Sequence, residues 1–179
     1  MRYLFALVAL FGLVAGSQAD VPSGPAVGKK LAALRVFAAT GPQAGKELDY
    51  VADRGERLTV YVFIREWDRP AARFLKTLDA AVHEESAQGQ VVATWLTEDA
   101  EKTKAYLPLV QQSLKFEATP LTLFPGDRNG PNDWDLNPSA RVTVVVARGG
   151  TARARFGFGS INETDVPQVR EAVRKAVKE

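Results

Sequence analysis

The chain has no cysteine. That absence excludes disulfides, thiolate metal ligands, a lipoprotein anchor and every reaction that passes through a protein thiol. Histidine is nearly absent too: His83 is the one imidazole, and one histidine without cysteine argues against a zinc site. Ser-His-Asp catalysis is possible by count, but no Gly-x-Ser-x-Gly or comparable elbow accompanies it. His83 reads instead as a surface or capping residue near a helix end. No basic block is present. Lys and Arg number 23 against 21 Asp and Glu, a formal net charge of +2, and this balance argues against nucleic acid as a partner. Nothing repeats at a solenoid period, and beyond the N-terminus no second long apolar run occurs.

The first run is informative. Met1-Arg2 supplies a positive charge, residues 3–16 are almost wholly apolar, and Ser17 and Ala19 give the small-x-small spacing a signal peptidase reads. The run is shorter than the roughly 20 residues a membrane span needs. The pattern predicts a signal peptide over 1–19 and an exported product, periplasmic or secreted, with no membrane span after cleavage; an uncleaved anchor is the alternative. The remaining chain of about 160 residues is one domain by length. It can bury roughly 70% of the surface its unfolded form exposes, so it needs no disulfide in an oxidising compartment.

Residues 20–32, beginning "DVPSGPAVGKK", are rich in Pro, Gly and polar side chains and read as a flexible leader to a domain over 33–179. Two β-compatible runs, 34–38 and 47–51, flank a Gly-rich turn and predict a hairpin. "RLTVYVFI" (57–64) lacks clean alternation, as expected of a strand buried on both faces. Ala71, Phe74, Leu75, Leu78, Ala81 and Val82 then recur at helical spacing. A second buried-type strand, 90–97, precedes a helix over about 100–113, in which Pro108 predicts a kink or break. A short strand or turn follows at 121–124, then a loop rich in Gly, Pro, Asn and Asp. "ARVTVVVA" and "TARARFGF" around Arg148-Gly149-Gly150 make a hairpin, and a helix over about 164–178 closes the chain. Strands joined through helices imply parallel pairs; the late hairpin adds antiparallel ones. The fold class is α/β, a mixed central sheet with helices on both faces.

The element order and two segments resemble the thioredoxin-like fold, and within it exported thiol-disulfide oxidoreductases of the TlpA/ResA kind and, more distantly, peroxiredoxins. In "VYVFIREWDRPAARFLKTLD", Trp67, Pro70 and the amphipathic stretch after them stand as in the family. The resemblance puts Asp68 at the nucleophilic cysteine's position and Ala71 at the resolving cysteine's. In "RVTVVVARGGTARARFGFG", Arg141 falls where the family has a cis-proline and Ala147 where it has a turn aspartate, while Gly150 and Gly157 or Gly159 are kept. The resemblance implies the fold; the missing thiols exclude the activity.

Asp68 is most simply an N-cap before Arg69-Pro70. Its alternative is a lone general base or ligand contact, for which the sequence names no partner group. Arg141 reads as a charged strand-start residue, or as the other half of an ion pair with Asp68 that closes the vacated cleft. Trp67 and Trp134 are the possible binding residues, since a tryptophan on a polar loop is either core-anchored or an interface anchor. Asp127, Asn129, Asp133 and Asp135 gather oxygen donors in one loop and are weak calcium candidates without the EF-hand spacing or its terminal glutamate. Arg148, Arg153 and Arg155 read as a solvated face. No cofactor is expected. The expected function is an exported, redox-inactive module that holds an unidentified protein or peptide; the alternatives are a non-redox enzyme or ligand-binding protein using the cleft around Asp68, or a calcium-binding domain.

Overall fold

The computed structural model describes residues 21–125 and 127–179, so the expected signal peptide lies outside the described residues. The centre of the molecule is β3 (Thr59–Ile64), whose six residues are all buried. Its β-branched and aromatic side chains serve two cores by simple alternation: Val60, Val62 and Ile64 face one, Tyr61 and Phe63 the other. β4 (Gln90–Thr97) pairs with β3 in parallel, and β5 (Leu121–Pro125) with β4 in parallel. On the other side of β3, the hairpin β6 (Val142–Arg148) and β7 (Thr151–Phe158) adds antiparallel strands. Gly149 and Gly150 both take positive φ, 60° and 62°, as a two-residue hairpin turn requires. The first hairpin, β1 (Arg35–Ala38) and β2 (Glu47–Asp49), joins antiparallel to β5 and completes the order β2-β1-β5-β4-β3-β6-β7. β2 ends two residues earlier than its sequence suggests because Asp49 turns inward as a cap. Its Oδ1 accepts from Val51 N at 2.9 Å, which starts the one-turn helix α1 (Tyr50–Arg54).

Helices lie on both faces, unequally. The long helices α2 (Arg69–Glu85), α3 (Ala100–Leu114) and α4 (Val166–Lys178) all send apolar stripes into the Val60/Val62/Ile64 core. The Tyr61/Phe63 face is covered by α1, the loop before β6 and the chain around Leu34. α3 continues through Pro108 without a break. Proline removes only the N–H that would have bonded the Lys104 carbonyl.

Residues 21–32 do not form the flexible leader expected of their composition. They lie along the edge of β7: Val21 N donates to Gly157 O, Gly28 N to Ala152 O, and Leu31 N to Gly150 O. Ser23 is buried and its hydroxyl sits 2.5 Å from Thr143 Oγ1. Pro and Gly here shape a strap whose backbone partners belong to a strand edge, which also shields that edge from other chains. Gly157 permits the approach, since a Cβ there would run into the Val21 carbonyl. Of the three hairpin arginines Arg153 and Arg155 are exposed, as a solvated face requires, and Arg148 is half-buried, but all three are bonded. Arg148 Nη1 caps the end of α4 through the Ala176 and Val177 carbonyls, Arg155 Nη1 donates to Gly24 O at 2.7 Å, and Arg153 pairs with Glu179.

α2 and α4 are tied by charge at their solvent edge. Glu85 Oε1 accepts from Arg170 Nε at 2.6 Å and Arg174 Nη2 at 2.9 Å. The hydrogen bonds from Arg174 and Arg170 hold the Glu85 carboxyl down at about 2, against an ordinary 4.5. A depressed carboxylate stabilises the fold above its unfolded pKa and loses that contribution as the pH falls through the folded one. Acid unfolding of the wild type should therefore show a component between about pH 4.5 and 2 that Glu85→Gln lacks. Superimposable profiles of stability against pH would show that the network contributes nothing.

Candidate functional site

The junction between β3 and α2 brings Arg65 to Asp68 to the end of the sheet where the three parallel strands stop. Asp68 adopts an extended backbone, and its Oδ1 accepts from Ala71 N at 2.9 Å, with Pro70 in the first turn of the helix. Its Oδ2 accepts from Arg141 Nη2 at 2.7 Å. The cap and the ion pair coexist, one on each oxygen. Arg141 Nη2 also lies 2.8 Å from Glu66 Oε2, so the cation sits between two carboxylates. Ala71 is buried, and a methyl group packs where the family resemblance puts the resolving thiol.

Arg141 is held rigidly. Its backbone N donates to Phe158 O and its carbonyl accepts from Arg65 N at 2.9 Å, with no cis peptide bond among the described residues. The Arg65 side chain clamps the loop that delivers Arg141: Nε donates to Ala140 O at 3.0 Å, and the guanidinium reaches the Arg128 and Asn137 carbonyls. Five N–H groups in a planar fork suit a residue that must satisfy several carbonyls at once.

Beside this closed end lies an open groove of about 470 Å³ between α2 and α3. Trp67 forms its floor, stacked on Trp95 with ring centroids 5.8 Å apart, and Trp95 meets the edge of Tyr106 at 6.0 Å. Tyr106 is 42% exposed and Leu109 59%. Among the described residues only Val27 is another large hydrophobic side chain exposed in this way. Trp67 is expected from the sequence; Trp95, Tyr106, Leu109, Glu66 and Arg65 are not. A signal was present: "YLPLV" in α3 is apolar beyond the stripe that Leu107 and Val110 need for the core.

Trp134 does not belong to a binding surface. It is fully buried in the Tyr61/Phe63 core, edge-on to both rings, with Nε1 donating to Ala33 O. A polar loop surrounds it, but burial of an indole outweighs loop composition, and its N–H finds a carbonyl. The calcium candidates are dispersed. Asp127 Oδ1 accepts from Asn129 N at 2.7 Å as a turn, Asp135 pairs with Lys29 at 3.0 Å, and Asp133 is exposed. No group of three or more His, Cys, Asp or Glu among the described residues could hold a metal ion. His83 is exposed in the last turn of α2.

The double role of Asp68 yields a measurable coupling. Asp68→Ala should cost roughly 1 kcal/mol through the cap, and a double-mutant cycle with Arg141→Ala should show a further ~0.5 kcal/mol of interaction, since both side chains are about one-third exposed. Strictly additive losses in urea unfolding would show that the pair does not close the junction.

No family model and no curated sequence matches the chain. Solved structures do. A DsbF homologue from Corynebacterium diphtheriae superposes with a TM-score of 0.65 at 12% identity, covering 90% of this chain and 95% of its own. A secreted thiol-disulfide isomerase from Corynebacterium glutamicum gives 0.62 at 13% identity, over 83% and 86%. The yeast mitochondrial 1-Cys peroxiredoxin gives 0.58 at 14% identity, over 87% and 79%. The chain has the thioredoxin-like fold. It resembles thiol-disulfide oxidoreductases and peroxiredoxins in architecture and lacks the cysteine on which their names rest.

Proposed function

We propose that this chain is an exported binding module: a thioredoxin-like scaffold, without thiol redox activity, that holds a protein or peptide in the groove between α2 and α3. The observation that carries this reading is the contrast between the two halves of the former active end. Asp68 and Arg141 pair across the junction, while Tyr106 and Leu109 keep an apolar surface in water beside it, next to half-buried Trp67. Exposed aromatic clusters of this kind mark interaction sites. The signal-like N-terminus supports export, and one similar structure is a secreted isomerase. No helix among the described residues is long and apolar enough to cross a membrane. An enzyme built on Asp68 is disfavoured, since both its oxygens are already committed.

Peptides selected from a random displayed library on the mature chain test this directly. A selected peptide should bind Tyr106→Ser/Leu109→Ser at least about tenfold more weakly, the loss of one hot-spot contact. The melting temperature should hold, because both side chains are exposed. Equal affinity for the variant, or no selectable peptide, would overturn the reading.

A further inference from the structure

At the opposite end of the sheet, where β3 and β4 begin, a recess of about 180 Å³ opens between α1 and the start of β4. Tyr50, Asp53, Arg54, Arg57 and Gln90 line it. Arg54 is only 7% exposed, yet among the described residues no carboxylate comes within ion-pairing distance of it, and Asp53 attracts it only from farther off. Its guanidinium donates through Nε to Thr59 Oγ1 and through Nη2 to the Leu58 and Gln88 carbonyls, all neutral acceptors, and Nη1 makes no hydrogen bond to the described residues. A buried cation is normally matched by a counter-charge. Tyr50, 2% exposed, has a hydroxyl with no partner among the described residues. A buried hydroxyl without a hydrogen bond is costly and calls for an explanation.

Arg57 adds a second cation to the lining. It spends Nε on the Arg54 carbonyl and Nη2 on the Asp53 carbonyl. Asp53 is the single acid in the recess, 3.9 Å from Arg57, so two arginines against one carboxylate leave the lining net positive. Burial pushes the Tyr50 phenol up to about 12, which keeps it a proton donor at neutral pH. The recess is too small for a drug-sized ligand.

We infer that this recess binds a small oxyanion, a carboxylate or an inorganic phosphate, which accepts from Arg54 Nη1, Arg57 and the Tyr50 hydroxyl. The anion supplies the missing counter-charge to Arg54 and the missing partner to Tyr50. The site lies at the far pole from the α2–α3 groove and does not depend on it.

The test uses the mature chain in chloride, phosphate and acetate buffers of equal pH and ionic strength. Native-state binding raises the melting temperature; phosphate or acetate should do so relative to chloride, and which of them does identifies the preferred oxyanion. Tyr50→Phe removes only the orphan hydroxyl, so it should fold normally and weaken the apparent affinity roughly tenfold, the worth of one hydrogen bond to a charged group. Arg57→Gln should weaken it at least as much. The inference is overturned if neither anion differs from chloride, or if the wild type and both variants respond alike, as they would to an adventitious ion only.

Discussion

Replacing Trp134 with alanine is expected to destabilise the protein by about 3–5 kcal/mol, the range for removing a fully buried aromatic side chain. The indole sits 5.2 Å from the Tyr61 ring and 4.9 Å from the Phe63 ring, edge-on to both. It therefore fills the core on the face of the sheet that the long helices leave uncovered. Among the described residues that face has no long helix of its own, so a loop supplies the bulk, and Trp134 is the largest fully buried side chain it delivers. Trp134→Phe keeps part of the ring packing and should lose less. Urea unfolding measures both. A loss below about 1 kcal/mol for the alanine variant would mean that the indole is a surface group and would restore it as a binding candidate.

Asp79→Ala should rank next, at about 3 kcal/mol. Asp79 lies on the buried side of α2, 2% exposed, where an aliphatic residue would be expected. Its carboxylate accepts from Glu117 N at 2.7 Å, Ala118 N at 3.3 Å and Thr119 Oγ1 at 2.7 Å, gathering the turn that returns the chain from α3 to β5. Truncation would leave these donors buried without an acceptor, which costs more than the hydrogen bonds themselves contribute. Asp79→Asn keeps the shape but replaces one acceptor oxygen with a donor, so it should fall between the two. A neutral Asp79→Ala would show that water replaces the carboxylate and that the turn is not anchored there.

Asp79 also marks the limit of reading along the chain. In the sequence its neighbours three and four residues away are Leu75, Lys76, Val82 and His83, half of them apolar, so the position lies at the border of the apolar stripe and its charge alone assigns it to solvent. Only the return of a distant turn, 38 to 40 residues on, makes it a buried acceptor. By contrast, β3, β4 and α2 were legible because each carries its own pattern: β-branched runs buried on both faces, and apolar residues at three- and four-residue spacing. Asp68 was legible as a cap for a similar local reason, since Asp before Arg-Pro fits a helix start. Its pairing with Arg141 followed from the family resemblance, which brings the two segments together across 73 residues.

Composition misled where tertiary contacts override it. Pro and Gly in residues 21–32 suggest freedom, yet the segment finds a strand edge to bond and a glycine, Gly157, that lets it come close. The Asp- and Asn-rich loop suggests calcium, yet Asp127 turns to the Asn129 amide, Asp135 to Lys29, and Asp133 to solvent. The groove went unread for a different reason. Trp67, Trp95 and Tyr106 come from three separate elements, and no local pattern announces that they stack.

The chain's three tryptophans provide the most direct test of the proposed binding groove beside the Asp68–Arg141 pair. Their indole N–H resonances can be followed as a selected peptide is titrated into the mature chain. The account predicts that Trp67 and Trp95 shift together, with the amides of Tyr106 and Leu109, while Trp134 stays fixed in its core. Saturable binding that leaves Trp67 and Trp95 unmoved would contradict it.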